Sequence, residues 1–251
     1  MSTILVTGGT GGLGRPTVLR LLAAGHEVRI LSRRPGERHV VGDLSTGAGL
    51  PEALDGVDTV LHLATNRKKD VDDTARLLAA ATRVKHVIFI SIVGVDDIPY
   101  PYYRDKVACE QLIAASGIPF TTLRATQFHH FIGEFLHAGR KLPVHFSLDV
   151  PLQTIAIDEV AARLVELAAS PPAGRVADIG GPELATVRDH IDIWQAAFAT
   201  HKPVWTLHLP GKTVGAFKAG HHTTGVPGFG RGTFAQYAAA EAATAAAGVS
   251  K

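Results

Sequence analysis

Ile4-Leu5-Val6-Thr7-Gly8-Gly9-Thr10-Gly11-Gly12-Leu13-Gly14 stands at the start of the chain. Its aliphatic run predicts a strand, its glycines a tight turn, and Leu13, Val18, Leu21 and Leu22 recur at the spacing of one helix face. The stretch satisfies G-x-G-x-x-G through Gly9, Gly11 and Gly14, and G-x-x-G-x-x-G through Gly8, Gly11 and Gly14. Glycine serves here because the turn is sharp, because the backbone must come close to a pyrophosphate, and because the helix must pack tightly on its strand. The N–H groups at the start of that helix then face the phosphates, aided by the helix dipole. Gly8, Thr10, Gly11, Gly12, Leu13 and Gly14 are therefore expected to cradle the diphosphate of a dinucleotide.

Working outward, short β-rich runs alternate with segments of helical period. Strands are predicted over residues 3–7, 27–31, 39–42, 58–63, 86–92 and 119–124, with helices over 13–25, 70–83 and 102–116. Gly25 and Gly117 fall where helices should stop. This is the pattern of an α/β, doubly wound parallel sheet of Rossmann type, whose ligand lies along one sheet edge. Residues 1–125 read as the cofactor-binding core and 126–251 as a small C-terminal α+β substrate lobe, the two making one domain. In that lobe helices are predicted over 127–138, 158–169, 186–200 and 232–247, and strands over 144–147, 175–179 and 203–208. Residues 209–232, rich in Gly, His, Thr and Pro, read as a loop that is either functional or poorly ordered, and the alanine-rich end is expected to fray.

An NAD site would place an Asp or Glu after the second strand, on the ribose hydroxyls. This chain places Ser32-Arg33-Arg34 there. A carboxylate would repel a 2′-phosphate, whereas two guanidiniums and a hydroxyl bind one, so the expected cofactor is NADP, as NADPH.

Residues 7–14 resemble the fingerprint of the extended and atypical short-chain dehydrogenase/reductases, and further matches follow in order. Gly42-Asp43-Leu44 resembles the segment that meets the adenine, and Leu63-Ala64-Thr65 the fourth-strand end that lines the cofactor. Tyr102-Tyr103-Arg104-Asp105-Lys106 resembles the Tyr-x-x-x-Lys helix, and Leu123-Arg124-Ala125-Thr126-Gln127-Phe128 a segment of NmrA-like members. The likeness spans residues 1 to about 135. It implies that Asp43, Leu44, Leu63, Ala64, Thr65 and Thr126 line the cofactor and that Lys106 bonds the nicotinamide ribose. It also implies a hydroxyl past the fifth strand, which Ser91 supplies. Many relatives use a later serine where this chain has Ile92, so Ser91 is open to polarising substrate or merely to capping the strand.

Independently of the resemblance, a Tyr and a Lys four apart on a helix share one face, so the ammonium can steady negative charge developing on the phenol oxygen. Tyr102, Lys106 and Ser91 are the catalytic candidates, with Tyr102 as proton donor while hydride arrives from the nicotinamide. Tyr103 is open to being a substrate contact or a core residue. Gln127, Phe128, His129 or His130, and Phe217 with Phe229 are expected to face a small-molecule substrate, carbonyl or quinone-like and possibly aromatic. Thirteen histidines fall in no metal-ligand spacing, so no metal is expected.

A formal charge of +2 gives no global field for nucleic acid or for an anionic membrane, and no stretch approaches a membrane span. The lone Cys109 forms no intrachain disulfide, and a cytoplasmic location is the expectation. The first reading is an NADPH-dependent oxidoreductase, its oligomeric state undetermined. The alternatives are a non-catalytic cofactor sensor that binds a regulatory protein and a cofactor-retaining epimerase.

Overall fold

The computed structural model describes residues 2–248. In chain order the elements are β1 (Thr3–Thr7), α1 (Gly14–Ala23), β2 (Glu27–Ser32), β3 (His39–Val41), α2 (Leu50–Leu54), β4 (Thr59–His62), α3 (Asp70–Ala80), β5 (His86–Ile92), α4 (Pro101–Ala115) and β6 (Phe120–Ala125). There follow α5 (His129–Ala138), β7 (His145–Leu148), β8 (Pro151–Leu152), α6 (Ile157–Ala168), β9 (Gly174–Arg175), β10 (Ala185–Thr186), α7 (Val187–Ala197), β11 (Val204–Leu207), α8 (Lys212–Lys218) and α9 (Phe234–Ala246).

Seven strands form one sheet in the order β3-β2-β1-β4-β5-β6-β9, and every pairing in it is parallel. The order reverses between β1 and β4, and the loops after those strands part to leave a crevice. Both sheet faces are covered, which is why Ile4, Leu5 and Val6 run apolar without alternation and are fully buried. Ile4 and Val6 join Val18, Leu21, Val160 and Leu164 on one face; Leu5 joins Leu77, Phe89, Cys109 and Ile113 on the other.

The second half departs from the expected lobe. β9 returns to the central sheet beside β6, and α6 packs on α1, so residues beyond 125 complete the sheet as well as building outward. The predicted strand over 175–179 shrinks to β9 plus an isolated bridge from Ile179 to Ala125. The outer part is a cluster of α5, α7 and α9 around Leu136, Ile191, Trp194 and Phe234. α7 and α9 each start in a capping box, Thr186 with Asp189 and Thr233 with Gln236.

Residues 209–232 are not a plain loop: they contain α8, and Gln153, fully buried, clamps the segment that follows. Its amide donates to the carbonyls of Gly181 and Gly225, while its oxygen accepts from the Thr224 backbone, each at 2.7–2.8 Å. α2, β8 and β10 were not expected from the sequence. The fraying expected at the chain end falls largely on residues 249–251, outside the described residues.

Candidate active site

A cleft of about 1710 Å³ runs along the carboxyl edge of the sheet, over the point where strand order reverses. The glycine turn forms its floor. Gly8 sits at φ +72°, and a Cβ there would lie 2.7 Å from the Ala64 nitrogen, so β4's end presses directly on the turn. A Cβ on Gly14 would meet the Gly8 carbonyl oxygen at 2.1 Å, which is how α1 approaches its strand. Gly8 and Gly14 are thus the two positions of the turn at which neighbouring backbone itself requires glycine. α1 begins with no side-chain cap and no acidic residue in its first turn; the Arg15 N–H is bonded to the Gly11 carbonyl and Pro16 has none, so the N–H groups of Gly12, Leu13 and Gly14 are those left for an anion.

At the β2 end the wall is Ser32, Arg33 and Arg34, with Asp43 and Leu44 behind them. Both arginines are exposed, and neither guanidinium has a carboxylate partner among the described residues. Arg15, one residue into α1, also lines the cleft and is steadied by donation of its Nε–H to the Thr10 carbonyl at 2.9 Å. Sequence reading missed it, although a cation just after the last glycine of such a turn is a local signal.

The middle of the cleft gathers Tyr102, Lys106, Thr65, Ser91, Thr126 and Gln127. The Lys106 ammonium is buried, 4.0 Å from Asp70 Oδ2, 4.8 Å from the centre of the Phe89 ring and 5.7 Å from that of Tyr102. Thr65 donates its hydroxyl to Asp70 at 2.6 Å and lies 3.3 Å from the Tyr102 hydroxyl. Asp70 Oδ1 also accepts from the backbone N–H groups of Asn66 and Arg67, so one buried carboxylate organises the loop after β4 and faces the ammonium. Asp70 was read only as part of a helix; its role depends on a contact with residue 106 that local sequence does not show.

Beneath this group lies His62, fully enclosed. The Thr74 hydroxyl donates to Cys109 Sγ and so accepts from His62 Nε2–H at 3.0 Å, which leaves Nδ1 of the neutral ring to accept from the Thr7 hydroxyl at 2.7 Å. The ring is held neutral: burial, and then the nearby Lys106 charge, push its pKa down to about 3.

Tyr103, its ring 6.5 Å from that of Tyr102, is buried and accepts a hydrogen bond from Gln127 Nε2 at 3.0 Å. Burial pushes its phenol up to about 12, making it a weaker acid than an ordinary tyrosine. Ser91 Oγ, Thr126 Oγ1 and Gln127 Oε1 are buried polar atoms with no hydrogen-bond partner among the described residues. Three unmet groups on one cleft wall, together with the turn, fit a polar ligand such as a dinucleotide.

Beyond Tyr102 the cleft turns apolar, lined by Phe128, Phe131, Phe135, Phe146, Val214 and Phe217. One expected substrate residue does not belong there. His129 is buried, bonded to Thr154 Oγ1 at 2.7 Å and the Gly232 carbonyl at 3.1 Å, and packed on Phe234 and Tyr237. His130, one position on and so turned about 100° around the helix, lines the cleft instead. Phe229, like His129, lies off the cleft wall, whereas every other residue singled out for cofactor or substrate lines it. Val187 and Ile191 come from α7, a segment the sequence did not connect to the site.

The NAD(P)H-binding family model matches residues 8–171, from the glycine turn to the end of α6. The chain belongs to this family. A relative in Streptomyces griseus, (4-alkanoyl-5-oxo-2,5-dihydrofuran-3-yl)methyl phosphate reductase, is 33% identical over 199 residues, covering 74% of this chain and 70% of its own length. The chain spans about half the length of several further curated relatives, named photosystem II assembly factors. Among solved structures, a short-chain dehydrogenase/reductase superfamily protein of Agrobacterium tumefaciens with bound NAD superposes at TM-score 0.72 and 22% identity, over 98% of this chain and 97% of the other. An NADPH-dependent quinone oxidoreductase of Escherichia coli, complexed with NADPH, gives TM-score 0.81 at 18% identity over 95% and 99%. The fold of this family member is thus that of the short-chain dehydrogenase/reductases, and its cofactor is a nicotinamide dinucleotide.

Proposed function

We propose that the chain is an NADPH-dependent reductase acting on an uncharged carbonyl or quinone-like compound. The observation that carries this reading is the position of the Tyr102–Lys106 pair, at the junction between a glycine-floored polar cleft and its aromatic extension. When bound, the reduced nicotinamide supplies hydride. The protein's own residues then supply the rest. The first turn of α1 and Arg15 hold the diphosphate, and Arg33, Arg34 and Ser32 take the 2′-phosphate. Lys106, kept in place by Asp70, serves the ribose and the developing charge at the phenol. Tyr102 donates its proton to the substrate oxygen, and Thr65, already donating to Asp70, orients that hydroxyl.

The charge of the substrate end supports the choice of class. Past Lys106 and Arg67, the ionisable side chains on that wall are Glu134, His130 and His222, and burial pushes the His222 pKa down. Among the described residues no further lysine or arginine lines that wall to hold a phosphate such as the one in the name of the Streptomyces relative.

The test is NADPH consumption, followed by absorbance, over a panel of quinones and aldehydes. Turnover is expected on neutral aromatic members, with Tyr102→Phe lowering the rate roughly 100-fold on an aldehyde while leaving NADPH affinity unchanged. A protein that binds NADPH but reduces none of the panel would refute the reductase reading. That outcome would favour a cofactor-binding protein without turnover, a reading helped by one feature: Ser91 Oγ makes no hydrogen bond to Tyr102.

A further inference from the structure

The apolar end of the cleft opens onto an exposed face. β7 and β11 pair in parallel with Phe146 opposite Trp205 and Leu148 opposite Leu207, so these four side chains share one side of the ribbon. Phe146 and Trp205 meet edge to face at 6.3 Å, and Trp205 is 59% exposed. Across a groove of about 270 Å³ stand Phe135, 59% exposed, and Leu142, 48% exposed. Phe135 and Phe146 line both this groove and the main cleft, so the two are continuous. Large side chains exposed together, rather than singly, mark a surface that something covers.

The charges around this face indicate what covers it. Arg140 and Lys141 are exposed in the turn between α5 and β7. Lys202 donates from its ammonium to the carbonyls of Arg140 and Leu142, which fixes a third cation at the groove rim beside β11. Of the nearby carboxylates, Asp149 pairs with Lys218 at 3.2 Å and Asp192 with Arg188 at 3.8 Å, and Glu134 stands on α5 without an ion pair among the described residues. Aromatic and aliphatic side chains fringed by lysine and arginine suit the headgroup region of an anionic bilayer: the rings enter the interface and the cations meet lipid phosphates. Protein interfaces share the enrichment in tryptophan, phenylalanine and arginine but are depleted in lysine, so it is Lys141 and Lys202 that favour lipid here.

We propose that this face docks on an anionic lipid bilayer, with the apolar end of the cleft opening toward the lipid. The chain would lie on the surface, since no described helix is long and apolar enough to cross a membrane. The inference goes beyond the reductase reading and is tested without turnover, so failure of either leaves the other standing.

The full chain is sedimented with vesicles of phosphatidylcholine alone and of phosphatidylcholine with phosphatidylglycerol, while tryptophan emission is recorded. The other tryptophan, Trp194, is buried, so a blue shift reports Trp205. Cosedimentation with the anionic vesicles and a blue shift are expected. Reversing charge in Arg140→Glu/Lys141→Glu should weaken binding roughly tenfold or more, and Trp205→Ser should weaken it and abolish the shift, both variants keeping the wild-type melting temperature. No sedimentation with anionic vesicles, or binding that ignores both variants, would overturn the proposal. So would a concentration-dependent dimer that Trp205→Ser dissolves and vesicles do not, because the face would then belong to a second copy of the chain.

Discussion

Lowering the pH from 7 to 5 should destabilise the protein through His62 by an amount that the structure fixes. In the folded chain its imidazole is pushed down to about 3, against an ordinary value of 6.5. Below pH 6.5 the unfolded chain therefore takes up a proton that the folded chain refuses. The stability this histidine contributes is fully present above pH 6.5 and is lost as the pH falls toward about 3. At about 1.4 kcal/mol per pH unit for one proton, the loss between pH 7 and pH 5 is about 2 kcal/mol. For a chain of this length that corresponds to a fall in Tm of about 4–8 °C. Burial also lowers the pKa of His86, His129, His145, His190 and His222, so the whole protein should lose more than His62 alone accounts for. The variant His62→Gln isolates the one residue, since its amide offers a donor and an acceptor toward Thr74 and Thr7 but does not titrate. Melting curves of both proteins at the two pH values make the test: the wild-type Tm should fall further than the variant's by about 4–8 °C. Equal falls would refute the neutral, doubly hydrogen-bonded His62.

Two further outcomes concern the cofactor. Arg33→Ala/Arg34→Ala should weaken NADPH binding roughly tenfold or more and leave NADH binding unchanged, since only the 2′-phosphate distinguishes the two; calorimetry with both nucleotides decides it, and a parallel loss would remove the arginines from the phosphate. The glycines should separate by position. A Cβ at Gly11 meets only the Gly8 carbonyl, at 3.2 Å, so Gly11→Val should fold yet show no thermal stabilisation by NADPH, whereas Gly14→Val, with its Cβ 2.1 Å from the same oxygen, should lower Tm sharply before any ligand is added.

The residues that could be read from sequence are those whose job is done by near neighbours. The strand, turn and helix at residues 3–23 are specified by adjacent glycines and aliphatics, and the Arg33–Arg34 pair by its distance from them. The Tyr102–Lys106 pair needs only one helical turn to share a face. Where a role depends on a distant partner, the sequence is silent or misleads. Residues 209–232 look like loose chain because glycine and proline dominate them, but Gln153, some 70 residues earlier, holds Thr224 and Gly225 in place. Asp70 looks like one of several acids in the first turn of α3, and only the fold brings it within 4.0 Å of Lys106.

The two histidines that begin α5 show how narrow this margin is. Both follow the Thr126-Gln127-Phe128 wall and both could have faced the cleft. What separates them is α9, more than 100 residues later: Phe234 and Tyr237 pack on His129, and the Gly232 carbonyl bonds its ring. The hydrogen bonds to Thr154 and Gly232 occupy both of its ring nitrogens, so His129 has no polar atom left for a substrate. Its work is to fasten α5 to α9, and His130 inherits the cleft by the rotation of a single residue along the helix. The apolar end of the cleft wall is therefore set by how the C-terminal helix packs, which is why the glycine turn can be read from the first half of the chain and the residue that α5 turns toward the cleft cannot.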